Sequence, residues 1–290
     1  MNALRCTLCI ALITGGVFLQ AMDWPSQEGK ITGNFGSNNE GRPLLGNIFE
    51  SEGNIAAADR GELLFRRRSQ DDCSSPLPSP LGAWVALDHG DGIISIYSRI
   101  AEGDPVRVPG MVEKNSPLGG SGTSGWSDKK GFYFSLFDRR ERRWINPSMI
   151  ITPLEDARPP LIVSVSLTGP GGRSIDPSQT RTVSQGRYLI SVGAADTLKE
   201  AGESPLAPHR IVCMVNGVEI GVLNFETYSA RDGALMVYRN GLIPVKEVFA
   251  PYPAWEVGEI QFTRGQAVLE VIAQDIAGNS RNAVFRLQVE

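Results

Sequence analysis

Short apolar runs separated by Gly, Pro, Asp and Asn set the pattern of the chain, and few stretches carry a helical period. The clearest unit lies at 82–100. Ala83-Trp84-Val85-Ala86-Leu87 runs apolar, Asp88-His89-Gly90-Asp91-Gly92 interrupts it, and Ile93, Ile94, Ile96 and Tyr97 resume. Two β-prone runs around a Gly/Asp turn predict a hairpin. Upstream, 31–36 predicts a short strand ending in turn residues, and 55–65 predicts strand, Asp59-Arg60-Gly61 turn, strand. Downstream, 106–112 and 116–125 predict short strands and Gly-rich turns, and 131–137 a strand rich in aromatics. Arg66 to Arg68 with the Pro/Ser-rich 74–80, and the basic stretch 139–143, predict exposed turns.

Residues 152–160 carry three prolines and several charges, which predicts an extended, fairly stiff joint. Beyond it, 162–167 alternates with period two, and 187–192, 210–215, 218–225, 266–273 and 283–289 read as further strands with turns between. Asn216-Gly217 is a strong two-residue hairpin turn, and Asp275-Ile276-Ala277-Gly278-Asn279 a further turn. About seven or eight short strands over this length predict a β-sandwich. The stretch 229–253 reads as an insertion between strands, weakly helical over 230–238.

A length of 290 residues suggests two domains, which the joint divides into 22–151 and 161–290. With 32 Gly and 19 Pro, the composition favours an all-β protein. The net charge of −4 argues against a general nucleic-acid binder.

Arg5, the apolar run 6–19 and Leu19-Gln20-Ala21 predict a signal peptide over 1–21, cleaved after Ala21. The apolar run is short for a bilayer span, and an uncleaved anchor is the alternative. Cleavage implies a periplasmic or otherwise exported protein with no transmembrane segment. Of four cysteines, Cys6 and Cys9 leave with the signal. An exported compartment permits a Cys73–Cys213 disulfide, against which stands the favoured reading of two partly buried free thiols.

Several motifs of the first half occur in the order of a known family. They are Gly33-Asn34-Phe35-Gly36, Ala57-Ala58-Asp59-Arg60-Gly61-Glu62-Leu63, Val85-Ala86-Leu87-Asp88-His89-Gly90-Asp91-Gly92, Ile96-Tyr97-Ser98-Arg99-Ile100, Ser124-Gly125-Trp126-Ser127 and Ile145-Asn146-Pro147. Together they resemble the M23 (lysostaphin/LytM-type) peptidase domain, a β-sheet zinc fold that cuts peptidoglycan cross-bridges. The ending of the chain resembles immunoglobulin-like modules of exported bacterial proteins. The resemblance therefore implies an M23/LytM-like β domain followed by an immunoglobulin-like β-sandwich, as in bacterial envelope proteins.

The family's chemistry is not carried over. Its first His and Asp ligands fall on Leu44 and Ile48, its His-x-His pair on Gly131 and Tyr133, and its catalytic His on Arg99. A catalytic zinc needs three protein ligands and an open water position, yet the chain holds only two histidines, His89 and His209. His89 matches a turn position that is not a ligand in the family. The expectation is a protein without zinc and without peptidase activity. Tyr97, Arg99, Phe132 and Tyr133 are the candidate groove residues, aromatic faces and a guanidinium that suit a peptide or a carboxylate. The bland alternative has Leu44, Ile48 and Phe132 filling the former pocket as core, covered by Tyr133. The leading function is a regulator (an amidase activator) or a peptidoglycan- or protein-binding module. A working M23 zinc endopeptidase and a purely structural envelope protein are the alternatives.

Overall fold

The computed structural model describes residues 22–39, 41–68, 79–101, 110–152, 154–196, 205–249 and 254–290. The expected signal segment, Cys73, and parts of the loop expected at 74–80 and of the short strand expected at 106–112 lie outside them. The described residues are almost entirely strand and turn, with short 3-10 turns and no helix long and apolar enough to cross a membrane.

The first half is built on the Gly131–Asp138 strand. It pairs antiparallel with Asn47–Glu50 on one side and with Ile93–Ile100 on the other. The predicted hairpin follows, since Ile93–Ile100 pairs with Ala83–Asp88, which pairs with Gly61–Arg67. Its turn places Gly90, Asp91 and Gly92 at positive φ, which Gly and Asp tolerate best. Alternation sends Phe132, Phe134 and Leu136 to one face, where they meet Phe49, Tyr97, Val85 and Leu87 in a core with every member almost fully buried.

In the second half, two sheets enclose a separate core. One holds Leu161–Thr168, Gly186–Ala195 and Ala254–Phe262; the other holds Arg210–Val215, Val218–Arg231, Gly265–Gln274 and Ser280–Val289. Val165, Ile190, Trp255 and Val257 pack against Ile211, Cys213, Phe225 and Leu269 between them. The sheets approach so closely that a Cβ on Gly221 would lie 2.3 Å from the Val257 carbonyl oxygen. Cys213 is a free thiol in this core, its pKa pushed up to about 12 by burial.

The helical reading of 230–238 is wrong. Val218–Arg231 runs straight through the start of that stretch and turns at Asp232-Gly233 into Ala234–Arg239. Both turn residues have positive φ, as a two-residue hairpin demands, and this turn chemistry overrides a modest helical pattern. A second turn at Asn240-Gly241 leads to Leu242–Pro244. The Ala254–Phe262 strand was not expected; its alternation is broken by a register shift opposite Ile190 and Ser191.

The two halves share a sheet. Arg143–Ile145 pairs on one side with Gly131–Asp138 and on the other with Val218–Arg231, which joins both halves into one 15-stranded sheet. Asn34 grips the far half with a fork, its Nδ2 donating to the Ala207 carbonyl and its Oδ1 accepting from the Ala207 N–H, both at 2.8 Å. Phe35 packs in the second core and Leu206 in the first.

Candidate functional site

The face of the Gly131–Asp138 strand opposite the core presents Tyr133. Its direct cross-strand neighbours are Ile48 and Ser98, and Ser98 pairs onward with Trp84. Leu44 joins this group: a Cβ on Gly33 would meet the Leu44 Cδ1 at 2.7 Å and the Ile48 Cδ1 at 3.5 Å. The Tyr133 hydroxyl reaches Ser135 and the Leu45 backbone, and burial pushes its pKa far above the usual phenol value. Ser98 is fully buried, and its hydroxyl has no hydrogen-bond partner among the described residues. Side chains therefore cover Ser98 in the middle of this face, while Leu44, Ile48 and Tyr133 stay half-buried.

Arg99 sits at the edge of this patch. The pairing with Ala83–Asp88 skips it, so it is the extra residue of a bulge, and its φ is 65°. The bulge turns the guanidinium toward Ser127, to whose Oγ its Nη1 donates at 3.3 Å, while that Oγ donates to the Lys129 carbonyl at 2.7 Å. Burial lowers the Arg99 pKa, with Tyr133 and Asp128 acting the other way. A cleft of about 430 Å³ opens here between Ile48, Glu50, Arg99, Trp126, Asp128 and Lys129. Trp126 stands 72% exposed on its rim.

The structure thus brings together Leu44, Ile48, Tyr133 and Arg99. Gly131 lies farther along the strand, opposite Glu50, where a Cβ would come 1.9 Å from the Phe49 carbonyl oxygen. No side chain fits there without moving a strand.

Two expected groove residues belong elsewhere. Phe132 is fully buried and stacks on Phe49 with ring centroids 4.6 Å apart. Tyr97 is equally buried; its hydroxyl accepts from the Ala58 N–H at 2.8 Å and from the Ser95 hydroxyl at 3.0 Å. Strand parity explains both, because neighbours of a groove-facing residue face the core. The residues that line the cleft instead, Trp126, Asp128 and Lys129, lie in and beside the Ser124-Gly125-Trp126-Ser127 motif, which was the available signal.

His89 serves the turn. Its Nδ1 lies 2.8 Å from the Arg60 carbonyl and its Nε2 2.6 Å from the Ser95 Oγ, so both ring nitrogens are engaged. His209 lies in the second half, 3.7 Å from Glu226, with its pKa lowered chiefly by burial.

The residues at the family's ligand positions do not fit a zinc ion. Leu44 and Ile48 have no donor atom, Arg99 is a cation, and the Tyr133 phenol is held in its protonated form by burial.

No curated protein matches the chain. A protein-family model matches residues 159–290. Among solved structures, the chain is similar to the antimicrobial peptidase lysostaphin from Staphylococcus simulans, at 15% identity, 83% of this chain, 99% of that one and a TM-score of 0.35. It is also similar to the catalytic domain of the prophage-encoded M23 protein EnpA from Enterococcus faecalis, in a mutant form, at 18% identity, 44% and 95% coverage and a TM-score of 0.33. The SpoIIQ–SpoIIIAH pore-forming complex matches at 16% identity, 45% and 90% coverage and a TM-score of 0.36. The chain is an all-β protein with structural likeness to M23 peptidase domains.

Proposed function

We propose that this chain is an exported, non-catalytic M23-like protein that works by binding in the bacterial envelope, as a regulator or binding module in peptidoglycan remodelling. One observation carries the reading. Four of the five positions where the sequence resemblance puts zinc ligands and catalytic histidines lie together, and they present two aliphatic side chains, a half-buried phenol and a guanidinium. Beside them a cleft remains, with the Arg99 cation in its wall and Trp126 on its rim. A guanidinium and an aromatic face suit a peptide that carries a carboxylate. The second half acts in this reading as an immunoglobulin-like module fused to the first.

The test combines three measurements on the mature chain: bound zinc, muropeptide cleavage, and co-sedimentation with intact sacculi or activation of cell-wall amidases. The expected result is no stoichiometric zinc, no cleavage, and binding or activation that Arg99→Glu abolishes. Stoichiometric zinc together with cleavage would overturn the proposal in favour of a metallopeptidase. Failure to bind sacculi and to activate amidases would overturn it in favour of a structural role.

A further inference from the structure

Trp126 differs from the other four tryptophans of the chain. Trp24, Trp84, Trp144 and Trp255 each pack against a phenylalanine, with ring centroids 4.6 to 5.8 Å apart. Trp126 has no ring partner among the described residues and leaves 72% of its surface in water. An indole this bare exposes a large apolar face, and tryptophan is the side chain that most often anchors a binding surface.

The ring is free, but the backbone that carries it is pinned. The Trp126 N–H donates to the Pro80 carbonyl at 3.1 Å. One residue back, Gly125 at φ 76° lies against Gly82 at φ 63°. A Cβ on Gly82 would come 2.4 Å from the Gly125 nitrogen, and one on Gly125 2.5 Å from the Gly82 nitrogen. Ser124 Oγ donates to the Ile100 carbonyl at 2.8 Å and accepts from the Ala83 N–H at 3.1 Å. One residue on, Ser127 is tied to Arg99 and to the Lys129 carbonyl. A side chain on so fixed a loop loses little freedom when a ligand covers it.

The neighbours of the ring decide what stacks on it. Apart from Ile48 and Phe49, the cleft beside Trp126 is lined by polar and charged residues, among them Thr32, Glu50, Asp128 and Lys129. An apolar side chain of a partner would find few apolar walls there. A sugar ring fits better, because its C–H face lies on the indole while its rim of hydroxyls meets carboxylate, ammonium and hydroxyl groups. On the reading of the Arg99 cleft as a peptidoglycan-binding site, we infer that Trp126 stacks a sugar ring of the glycan while Arg99 takes a carboxylate of the attached peptide. The ligand is then a glycopeptide rather than a bare peptide, and Trp126 is the residue that reads its sugar.

The experiment compares three ligands by calorimetry on the purified chain: a disaccharide muropeptide, its free stem peptide, and peptide-free glycan chains. The muropeptide is expected to bind about tenfold tighter than the free peptide, and the glycan chains weakly. Trp126→Ala removes the tenfold gain and the glycan binding but leaves the free peptide unchanged, and Trp126→Phe restores part of the gain. Arg99→Glu weakens the peptide and the muropeptide together. The muropeptide shifts the tryptophan emission of the parent and not that of Trp126→Phe. Trp126 is exposed, so circular dichroism is expected to show each of its variants folded like the parent. A muropeptide that binds no better than its peptide overturns the inference and leaves peptide binding standing. So does a Trp126→Ala chain that holds the muropeptide as tightly as the parent, or one that loses the free peptide equally. Absence of binding to all three ligands overturns it as well, and sacculus co-sedimentation with amidase activation then decides whether the envelope-binding reading falls too.

Discussion

Arg99 holds a φ of 65°, a region that costs a side-chain-bearing residue about 1 kcal/mol or more. Glycine would hold it without strain. Arg99→Gly is therefore expected to change stability by no more than about 1 kcal/mol, strain relief offsetting lost packing, while anionic ligands no longer bind. Urea denaturation beside a binding assay separates the two effects. Tyr97 behaves oppositely. Its hydroxyl is the acceptor for a buried backbone N–H, and burial pushes its pKa up to about 12. Tyr97→Phe strands the Ala58 N–H and takes away the acceptor of the Ser95 hydroxyl, at a cost of about 2 kcal/mol read from the denaturation midpoint. His209 sets a pH dependence. Burial lowers its pKa in the folded chain, so the unfolded chain binds the proton more readily. Its contribution to stability is complete above the ordinary histidine value of about 6.5 and is lost as pH falls through that value toward the lower folded one. Comparing wild type with His209→Gln between pH 8 and pH 5 is expected to show a shallower loss in the variant.

Close strand packing makes two glycines unequal. At Gly131 a Cβ would meet a backbone oxygen at 1.9 Å, which only a moved strand relieves; at Gly33 it would meet the tip of Leu44 at 2.7 Å, which rotates away. Gly131→Ala is expected to cost about 3 kcal/mol and Gly33→Ala about 1 kcal/mol or less, measured by thermal melts. The elements that local chemistry specifies were legible in the sequence. The 82–100 hairpin and the Asn216-Gly217 turn each carry their own signal. The Asp232-Gly233 turn carries a similar signal but is hidden within the weakly helical stretch 230–238. Of the expected groove residues, Arg99 lines the cleft and Tyr133 faces away from the core, whereas Phe132 and Tyr97 face into it, because a motif gives proximity along the chain and only strand parity gives the face. The Arg99 bulge was not legible at all, since it arises from the register between two strands.

At the scale of the molecule, two cores are separately apolar, yet the chain does not divide cleanly between them. The joint at 152–160 suggests two units on a spacer, but the strand on its N-terminal side pairs with the second half. Asn146 adds to this, its Nδ2 donating to the Phe225 carbonyl and its N–H to the Glu226 carbonyl, both at 2.9 Å. Long-range pairing of this kind is invisible to period and propensity, which report only on neighbours. Asn34→Ala removes both arms of the fork on Ala207 and is expected to cost about 2 kcal/mol without changing either core. A chain ending at residue 158 is expected to aggregate rather than fold, as size-exclusion chromatography will show, because Arg143–Ile145 becomes an open edge and Phe35 an exposed ring.

The shared sheet also sets a schedule for folding. During synthesis the Arg143–Ile145 strand emerges well before Val218–Arg231, its partner. The first half must wait with an unsatisfied edge until that partner arrives, and closing so long a loop is slow. A nascent chain of this design depends on something to shield that edge in the interval, and the need disappears once the last strands are in place.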